Sequence, residues 1–485
     1  MEFNSISFLL FFTIVVVLYY NLNKRNRFIL LLISSFFFYS FWNWKYSFLL
    51  IISGITDYYV SKKIYKSVIK KEKLTYLSIS IIINLGLLIY FKYLIFITEN
   101  LNFFSESLGL GFNLDVLNII LPFGISFYTF ETISYSVDVY RGILKPEKSF
   151  LKYALFVAFF PKLVAGPIQR ANEFLPQLQN KIRFSSKTLF EGLKRILFGL
   201  FLKVVFADNI AGFVDEAYSF DFALLSFVDL MTLGYLFGFQ IYFDFSAYSH
   251  IAIGAAKCFG IDIPENFNFP YISKSFKEFW KRWHISLSAW IKDYLYLPLS
   301  GVKINTSSAK SGIGNAIENK TSNRNIALFL TWIIMGFWHG ANWNFAFWGL
   351  LHATFIFLER KITITWNNLN LPKTPYLIKW VITLNLVMFS WIPFRVNSVA
   401  DLKYMFIKLF SFSDFFELNL RENNYLLVFV LLVFSIIYYL FISSNNKLLA
   451  NVKNNLPLKI ISYSVILFLT FIFLETKSQF IYFQF

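Results

Sequence analysis

The sequence predicts an all-α protein that crosses a membrane many times, and three observations support this fold class. Hydrophobic residues make up 57% of the 485 residues and charged residues only 15%, whereas soluble domains carry about 25% charged residues. Apolar runs of about 20 residues, the length that an α-helix needs to cross a bilayer, recur along the chain. Lys and Arg are concentrated in the loops between these runs, as in cytoplasmic loops of membrane proteins. We therefore expect one integral membrane domain over residues 1–485.

The apolar runs predict about eleven transmembrane helices, together with re-entrant and amphipathic segments. The first run lacks a preceding basic region and a small-residue cleavage site, so we interpret it as a retained helix. Residues 151–165 are apolar but short and contain Pro161, which indicates a re-entrant element. The expected spans are residues 5–22, 28–43, 46–61, 76–97, 117–137, 189–207, 223–244, 246–260, 326–358, 377–394, 426–443 and 459–476.

The basic residues also predict the orientation of the chain. Residues 22–27 and 61–75 are rich in Lys and Arg, whereas residues 98–116 contain neither. Because basic loops stay in the cytoplasm, the first two segments are expected inside and the third outside. These assignments predict a multi-pass membrane protein with its N-terminus outside the cell.

Three later segments complete this topology. For the basic loops to lie on the cytoplasmic side throughout, residues 246–260 must dip into the membrane and return, and residues 326–358 must form a hairpin. Residues 301–325 are polar and low in complexity, which predicts a flexible cytoplasmic loop within the domain.

Composition and missing motifs exclude several functions. The net charge of +17 is explained by basic loops facing anionic lipid, so we expect membrane lipid and no nucleic acid as a partner. Cys258 is the single cysteine, which excludes an internal disulfide and a cysteine-based zinc site. HExxH, P-loop and GxSxG patterns are absent, so we expect no metal, ATP hydrolysis or serine hydrolysis.

His339 is the strongest candidate for chemistry. It lies 14 residues after Asn325, about 21 Å along a helix, within a hydrocarbon core about 30 Å thick. An ionisable residue at that depth is a functional hypothesis by default. Burial favours neutral imidazole, which can accept a proton from a hydroxyl. The alternative is a packed histidine bonded to an Asn or a carbonyl, and depth alone does not decide between them.

Residues 276–294 are predicted to form an amphipathic helix at the cytoplasmic surface. At 100° per residue, one face carries Trp280, Trp283, Leu287, Trp290 and Tyr294, and another carries Lys277, Lys281, His284 and Ser288. Tryptophans at the headgroup level and a basic face towards water are typical of such helices. The basic face, with Lys281 and Arg282, is a candidate site for an anionic donor such as coenzyme A. The alternative is a helix that only lies on the membrane surface.

Other polar residues in apolar runs have two interpretations each. Asp244 and Ser246 either shape a substrate cavity or tie helices together. His250 and His352 lie in apolar helical surroundings, where a histidine bonded within the core is the favoured interpretation.

Several stretches resemble the membrane-bound O-acyltransferase (MBOAT) family, in particular its bacterial, AlgI-like branch for alginate O-acetylation. The matching stretches follow the family order over nearly the whole chain: LPFGISF (121–127), FPKLVAGPI (160–168), FQIYFDFSAYSHIAIG (239–254), PENFNFPY (264–271), FWKRWHISLSAWIKDYLYLPL (279–299), MGFWHGANWN (335–344), WGLLH (348–352), WIPFR (391–395) and FIYFQF (480–485).

The resemblance implies a protein of the bacterial inner membrane, with a fold that has funnels on both membrane faces, joined at the catalytic histidine. The family's membrane-embedded histidine falls on His339, and its second characteristic histidine falls on His284. The implied donor is an acyl thioester such as acetyl-CoA, which arrives from the cytoplasm and is not a tightly bound cofactor. The implied acceptor is a hydroxyl of an exopolysaccharide or of peptidoglycan. A separate extracytoplasmic acetyltransferase is the expected protein partner.

The sequence leaves alternatives open for both the mechanism and the substrate. The indole N–H of Trp343 or the amide of Asn342 is a candidate for stabilising the oxyanion. A covalent acyl-enzyme on Ser246 or Ser249, or an acyl-histidine relay, is an alternative to direct transfer. Transfer of D-alanine to teichoic acid is an alternative function within the family, and a glycan-precursor transporter is an alternative outside it.

Overall fold

The computed structural model describes residues 1–179, 183–304, 316–317, 323–372, 374–396, 398–411, 414–443, 455–474 and 480–481. Within these residues the protein is α-helical, apart from an antiparallel pair of two-residue strands, β1 (Lys303–Ile304) and β2 (Ala316–Ile317). The helices are α1 (Ile6–Asn21), α2 (Lys24–Asn43), α3 (Ser47–Lys66), α4 (Lys70–Ser107), α5 (Ile125–Tyr140), α6 (Phe150–Ala158), α7 (Ser186–Ala217), α8 (Phe227–Cys258), α9 (Ile285–Ile291), α10 (Arg324–His339), α11 (Trp343–Asn368), α12 (Tyr376–Arg395), α13 (Val399–Leu409), α14 (Glu422–Ser443) and α15 (Leu456–Ile472).

Short helical segments connect these helices. Single turns lie at Trp44–Tyr46, Phe160–Leu163, Ala171–Phe174, Gln177–Gln179, Pro270–Ile272, Phe276–Phe279 and Leu297–Leu299. Five- or six-residue π-helical turns lie at Ile89–Tyr93 within α4, at Leu202–Ala207 within α7 and at Lys292–Tyr296 after α9.

Among the residues that the structure describes, three helices are long and apolar enough to cross a membrane by length and composition: α4, α7 and α12. Shorter apolar helices lie at Ile6–Asn21, Glu422–Ile437 and Leu456–Ile472. The count of about eleven spans therefore stays a prediction. The buried side chains form one continuous cluster, in which α8 packs against α7, α12 and α14.

The predicted division of residues 223–260 into a span and a returning segment is wrong, because α8 runs through both. It is a single helix of 32 residues, about 48 Å long at 1.5 Å per residue, where the sequence predicted a span ending at residue 244 and a returning segment at 246–260. Polar residues near the expected boundary do not interrupt the helix, because neighbouring elements bond them. Asp244, for example, is paired with Lys203 of α7.

The predicted span 117–137 is also wrong at its start. Residues 110–122 have no regular secondary structure, and α5 begins only at Ile125. Pro122 lacks a backbone N–H, and Gly124 adopts a left-handed conformation with φ of 73°, so the apolar run is interrupted before α5. The short run 151–165 forms α6 followed by the turn Phe160–Leu163, and its predicted re-entrant path stays a prediction.

The predicted hairpin over residues 326–358 is confirmed as α10, a turn at residues 340–342, and α11. The two helices approach so closely that a Cβ atom at Gly336 would lie 2.1 Å from the carbonyl oxygen of Phe345. Small residues permit such close helix contacts in membrane proteins. The hairpin places His339 at its tip.

The amphipathic helix predicted over residues 276–294 does not form as one helix. The turn Phe276–Phe279 ends before His284, which has a φ of 42°, and α9 begins at Ile285. Trp280, Trp283 and His284 are buried. An apolar stripe at helical spacing fits a buried, broken segment as well as an interfacial helix. Most of the predicted flexible loop at 301–325 lies outside the described residues.

Candidate active site

His339 is the last residue of α10 and is only 5% exposed. Aromatic rings surround its imidazole at near-perpendicular angles. The ring centroids of Trp338, Trp348 and Phe394 lie 4.8, 5.0 and 5.1 Å from that of His339. This environment keeps the imidazole away from bulk solvent and restricts its orientation.

The carbonyl groups at the end of α10 are bonded by a different helix. The last four carbonyls of an α-helix have no partner within the helix. Here the amide of Gly340 donates to Gly336 O (3.4 Å), and the hydroxyl of Tyr93 donates to Phe337 O (2.9 Å). The amino group of Lys92 donates to the carbonyl oxygens of both Trp338 and His339, the latter at 3.2 Å. The π-helical turn of α4 thus fixes the helix end that carries His339.

A small chamber of about 40 Å³ adjoins His339. His339, Trp338, Lys92, Ser126 and the segment 121–125 are among its lining residues. A cavity needs about 10–15 Å³ to hold one water molecule, so this chamber accepts only a small group. Gly124 closes one wall, where a Cβ atom would lie 2.5 Å from the carbonyl oxygen of Leu163.

His284 approaches the same region from another segment of the chain. Its side chain is fully buried, and its ring meets Phe245 edge-on at 4.7 Å. The indole of Trp338 lies 6.2 Å from the His284 ring and 4.8 Å from the His339 ring, measured between centroids. Trp338 therefore contacts both histidines. The positive φ of His284 is a conformation that non-glycine residues rarely adopt and that occurs often at functional sites.

Asn266 holds His284 in place, and sequence analysis did not identify it. Its side-chain oxygen lies 3.1 Å from His284 Nδ1 and accepts from the Ser286 hydroxyl at 2.8 Å. Its backbone carbonyl accepts from the amide of Ile285 (2.9 Å), and its side-chain NH₂ donates to Ser249 (3.2 Å). The signal available in the sequence was its position in the stretch PENFNFPY.

A protein-family model matches residues 144–397 of this chain, and it describes the MBOAT, membrane-bound O-acyltransferase family. The match includes both histidines and Asn266. The chain belongs to the membrane-bound O-acyltransferase family. The protein is therefore a membrane-integral O-acyltransferase, which sets aside the transporter alternative.

Curated relatives of this acyltransferase carry three descriptions. The chain is 37% identical over 374 residues to the "probable alginate O-acetylase AlgI" of Azotobacter vinelandii, covering 76% of this chain and 70% of the relative. It is 36% identical over 390 residues to the peptidoglycan O-acetyltransferase of Helicobacter pylori, covering 75% and 70%. It is 33% identical over 244 residues to the teichoic acid D-alanyltransferase of Bacillus subtilis, covering 49% and 58%.

Asp244 of the acyltransferase lies in a buried ionic cluster. Its carboxylate pairs with Lys203 Nζ at 2.7 Å and accepts from the amide of Ile481 at 2.7 Å. Lys203 also pairs with Asp208 at 2.9 Å. These contacts favour the interpretation that Asp244 ties α7, α8 and the segment 480–481 together.

Ser246 lines a separate cavity of about 490 Å³, together with His250 and several phenylalanines. His250 Nδ1 accepts from Arg195 Nε at 3.2 Å, and Arg195 pairs with Glu265. His352 is fully buried, and its Nδ1 lies 3.4 Å from the indole nitrogen of Trp280. Both of these histidines therefore have a hydrogen-bond partner within the protein.

The remaining candidates lie towards the surface. Trp343 is 53% exposed, and its indole N–H donates to Asn100 (2.9 Å). Its role as an oxyanion donor stays a prediction. Asn342 caps α11 by accepting from the amide of Asn344 at 3.1 Å. Lys281 is exposed. Arg282 is half-buried and pairs with Glu278 at 2.9 Å.

Proposed function

We propose that this acyltransferase moves an acetyl group from a cytoplasmic acyl thioester to hydroxyl groups of a cell-surface polysaccharide or of peptidoglycan. The observation that carries the proposal is the position of Trp338, whose indole contacts both His284 and His339, and His339 lies beside the small chamber. A transfer across the membrane needs reactive groups that meet at one narrow point, and this arrangement provides such a point.

The predicted orientation supports two routes to that point. His284 belongs to a segment predicted in the cytoplasm, where the exposed Lys281 is suited to the phosphates of a donor such as acetyl-CoA. Trp343 bonds Asn100, which lies within the segment 98–116 that is predicted outside. We propose that the chain crosses the inner membrane about eleven times, with its N-terminus outside.

A second cavity extends the predicted outer route. Its volume is about 410 Å³, and Met1, Glu2, Tyr39, Phe123 and Val164 are among its lining residues. Phe123 and Val164 also line the chamber beside His339. The two cavities thus share a wall, and a hydroxyl in the larger one reaches His339 by displacement of these two side chains.

The proposed chemistry is general-base catalysis by His339. Neutral His339 accepts the proton of the acceptor hydroxyl as the hydroxyl oxygen attacks the thioester carbonyl carbon. The C–S bond then breaks, and the proton passes to the departing thiolate. Holding the two reacting groups together beside His339 supplies proximity. An acyl-histidine relay to an extracytoplasmic acetyltransferase remains the alternative route to the same product.

Transfer of D-alanine to teichoic acid is the second candidate. The 33% identity to the Bacillus subtilis D-alanyltransferase favours it, but that match covers 49% of the chain against 75% and 76% for the two O-acetylating relatives. The more extensive matches support acetyl as the transferred group.

The experiment that tests the proposal measures O-acetyl esters on the surface glycans of a deletion strain. The strain carries wild-type protein, His339→Ala or no protein, and immunoblots establish equal abundance in the membrane. We expect wild type to restore acetyl esters and His339→Ala to restore none. Equal restoration by both proteins would exclude His339 as the base. Restoration of D-alanyl esters instead of acetyl esters would support the second candidate.

A further inference from the structure

Lys92 lies in the π-helical turn Ile89–Tyr93 of α4, within an otherwise apolar stretch. Such turns are rare, and they occur often at functional sites. Two consecutive residues of this turn, Lys92 and Tyr93, reach the last turn of α10. An ionisable residue within a predicted span is itself a functional hypothesis.

Two features separate Lys92 from an ordinary helix cap. Tyr93 bonds Phe337 O with a neutral hydroxyl, so a cap at this helix end does not require a lysine. Lys92 also lines the same chamber as His339. Protonated lysine has three N–H donors, and the carbonyl oxygens of Trp338 and His339 account for two of them. In the part of the chain that the structure describes, no carboxylate forms an ion pair with Lys92.

We propose that Lys92 is a catalytic residue, whose remaining N–H stabilises the oxyanion formed during acyl transfer; this inference rests on the proposed function. When the acceptor oxygen bonds to the thioester carbonyl carbon, the electron pair of the C=O double bond moves to the carbonyl oxygen. His339 holds the proton lost by the acceptor. The Lys92 N–H bonds the resulting oxyanion until the C=O bond re-forms and the C–S bond breaks.

The position of Lys92 suits this role. Its bonds to the backbone of Trp338 and His339 place its amino group at a fixed distance from the residue that removes the proton. A donor fixed before the reaction needs no reorganisation as the charge develops, which is why such donors act strongly in water-excluded sites.

The experiment measures acetyl transfer in membrane vesicles from a deletion strain that carries one variant at a time. The donor is acetyl-CoA at varied concentration, and the acceptor is the strain's own surface polysaccharide after mild alkaline removal of its esters. The variants are Lys92→Met, Lys92→Arg and Tyr93→Phe. Tyr93→Phe is the matched control, because it removes the neighbouring bond to the end of α10 and leaves the chamber lining intact. Melting temperatures in detergent report structural damage.

We expect Lys92→Met to lower the maximal rate per molecule by about 100-fold or more, the usual effect of removing one oxyanion donor. Its KM for acetyl-CoA should stay within about threefold of wild type, because the oxyanion exists only after donor binding. Lys92→Arg, which keeps N–H donors, should recover at least about a tenth of the wild-type rate. Tyr93→Phe should lower the melting temperature and lower the rate by less than about tenfold, because the bonds from Lys92 still hold the helix end.

Two results would overturn the assignment while wild type remains active. One is a Lys92→Met rate within about threefold of wild type. The other is an equal loss of rate in Lys92→Met and Tyr93→Phe at equal melting temperature, which would assign Lys92 to capping alone. If wild-type vesicles transfer no more acetyl than vesicles without the protein, the proposed acetyl transfer fails, and the role of Lys92 fails with it.

Discussion

The side-chain oxygen of Asn266 lies 3.1 Å from Nδ1 of His284, and it determines which nitrogen of that ring carries the proton. The same oxygen accepts from the hydroxyl and the backbone amide of Ser286, so it is the carbonyl end of the amide. Because a carbonyl oxygen only accepts hydrogen bonds, Nδ1 of His284 must donate. In the neutral ring, Nε2 is then the basic nitrogen.

Asn266→Ala should therefore lower acyl transfer without unfolding the protein. Loss of a buried hydrogen bond costs about 1–3 kcal/mol, which corresponds to a rate loss of about 5- to 150-fold if the ring tautomer or orientation is no longer fixed. The measurement is acetyl ester per molecule of protein in membranes. A rate equal to wild type would show that His284 does not need this orientation.

Ser249→Ala tests whether Ser249 only supports Asn266 or instead carries the acyl group covalently. Ser249 accepts from the Asn266 side chain (3.2 Å) on the side away from His284. We expect the rate to fall by less than about tenfold, because a single neutral hydrogen bond contributes about 1 kcal/mol. Complete loss of transfer at normal abundance would favour an acyl-enzyme on this serine.

Much of this fold was predictable from apolar runs, but the contacts that define the site were not. The runs predicted the α10–α11 hairpin and the burial of His339, because both depend on local sequence. The bond from Lys92 to His339 O joins residues 247 positions apart, and no local pattern indicates it. The break at His284 was missed for another reason. Helical spacing of tryptophans is the same for an interfacial helix and for a buried, broken segment, and the preference for burial arises only from the assembled bundle.

His339→Gln should abolish measurable transfer, whereas His352→Gln should not. General-base catalysis contributes about 10²- to 10⁴-fold to rate, and glutamine cannot accept the proton. His352 is the matched control, since it is fully buried in the same hairpin but bonds Trp280 and does not line the chamber. Acetyl ester per molecule of protein is the readout. Equal losses in both variants would indicate that the hairpin core was damaged.

Lys203→Met should destabilise the protein more than Asp244→Asn. Lys203 is paired with two buried carboxylates, Asp208 and Asp244, with side-chain exposures of 1–3%. Removing one partner of a buried ion pair costs about 3–5 kcal/mol. Lys203→Met leaves two carboxylates without their partner, whereas Asp244→Asn keeps the pair with Asp208. Melting temperatures in detergent test this order, and the reverse order would place the main stabilising contact of Asp244 at Ile481.

Gly336→Ala should separate α10 from α11 and lower both stability and transfer. The new Cβ atom would lie 2.1 Å from the carbonyl oxygen of Phe345, a backbone atom that cannot rotate away. Overpacking of this kind costs about 1–3 kcal/mol, and the displacement arises one turn before His339. Gly212→Ala is the control, because no atom beyond its chain neighbours and the adjacent backbone of its own helix lies within 4 Å of its Cβ position, and alanine favours a helix by about 1 kcal/mol over glycine. We expect a lower melting temperature and a lower rate only for Gly336→Ala. If that variant melted and transferred like wild type, close contact within the hairpin would not be what positions the catalytic histidine.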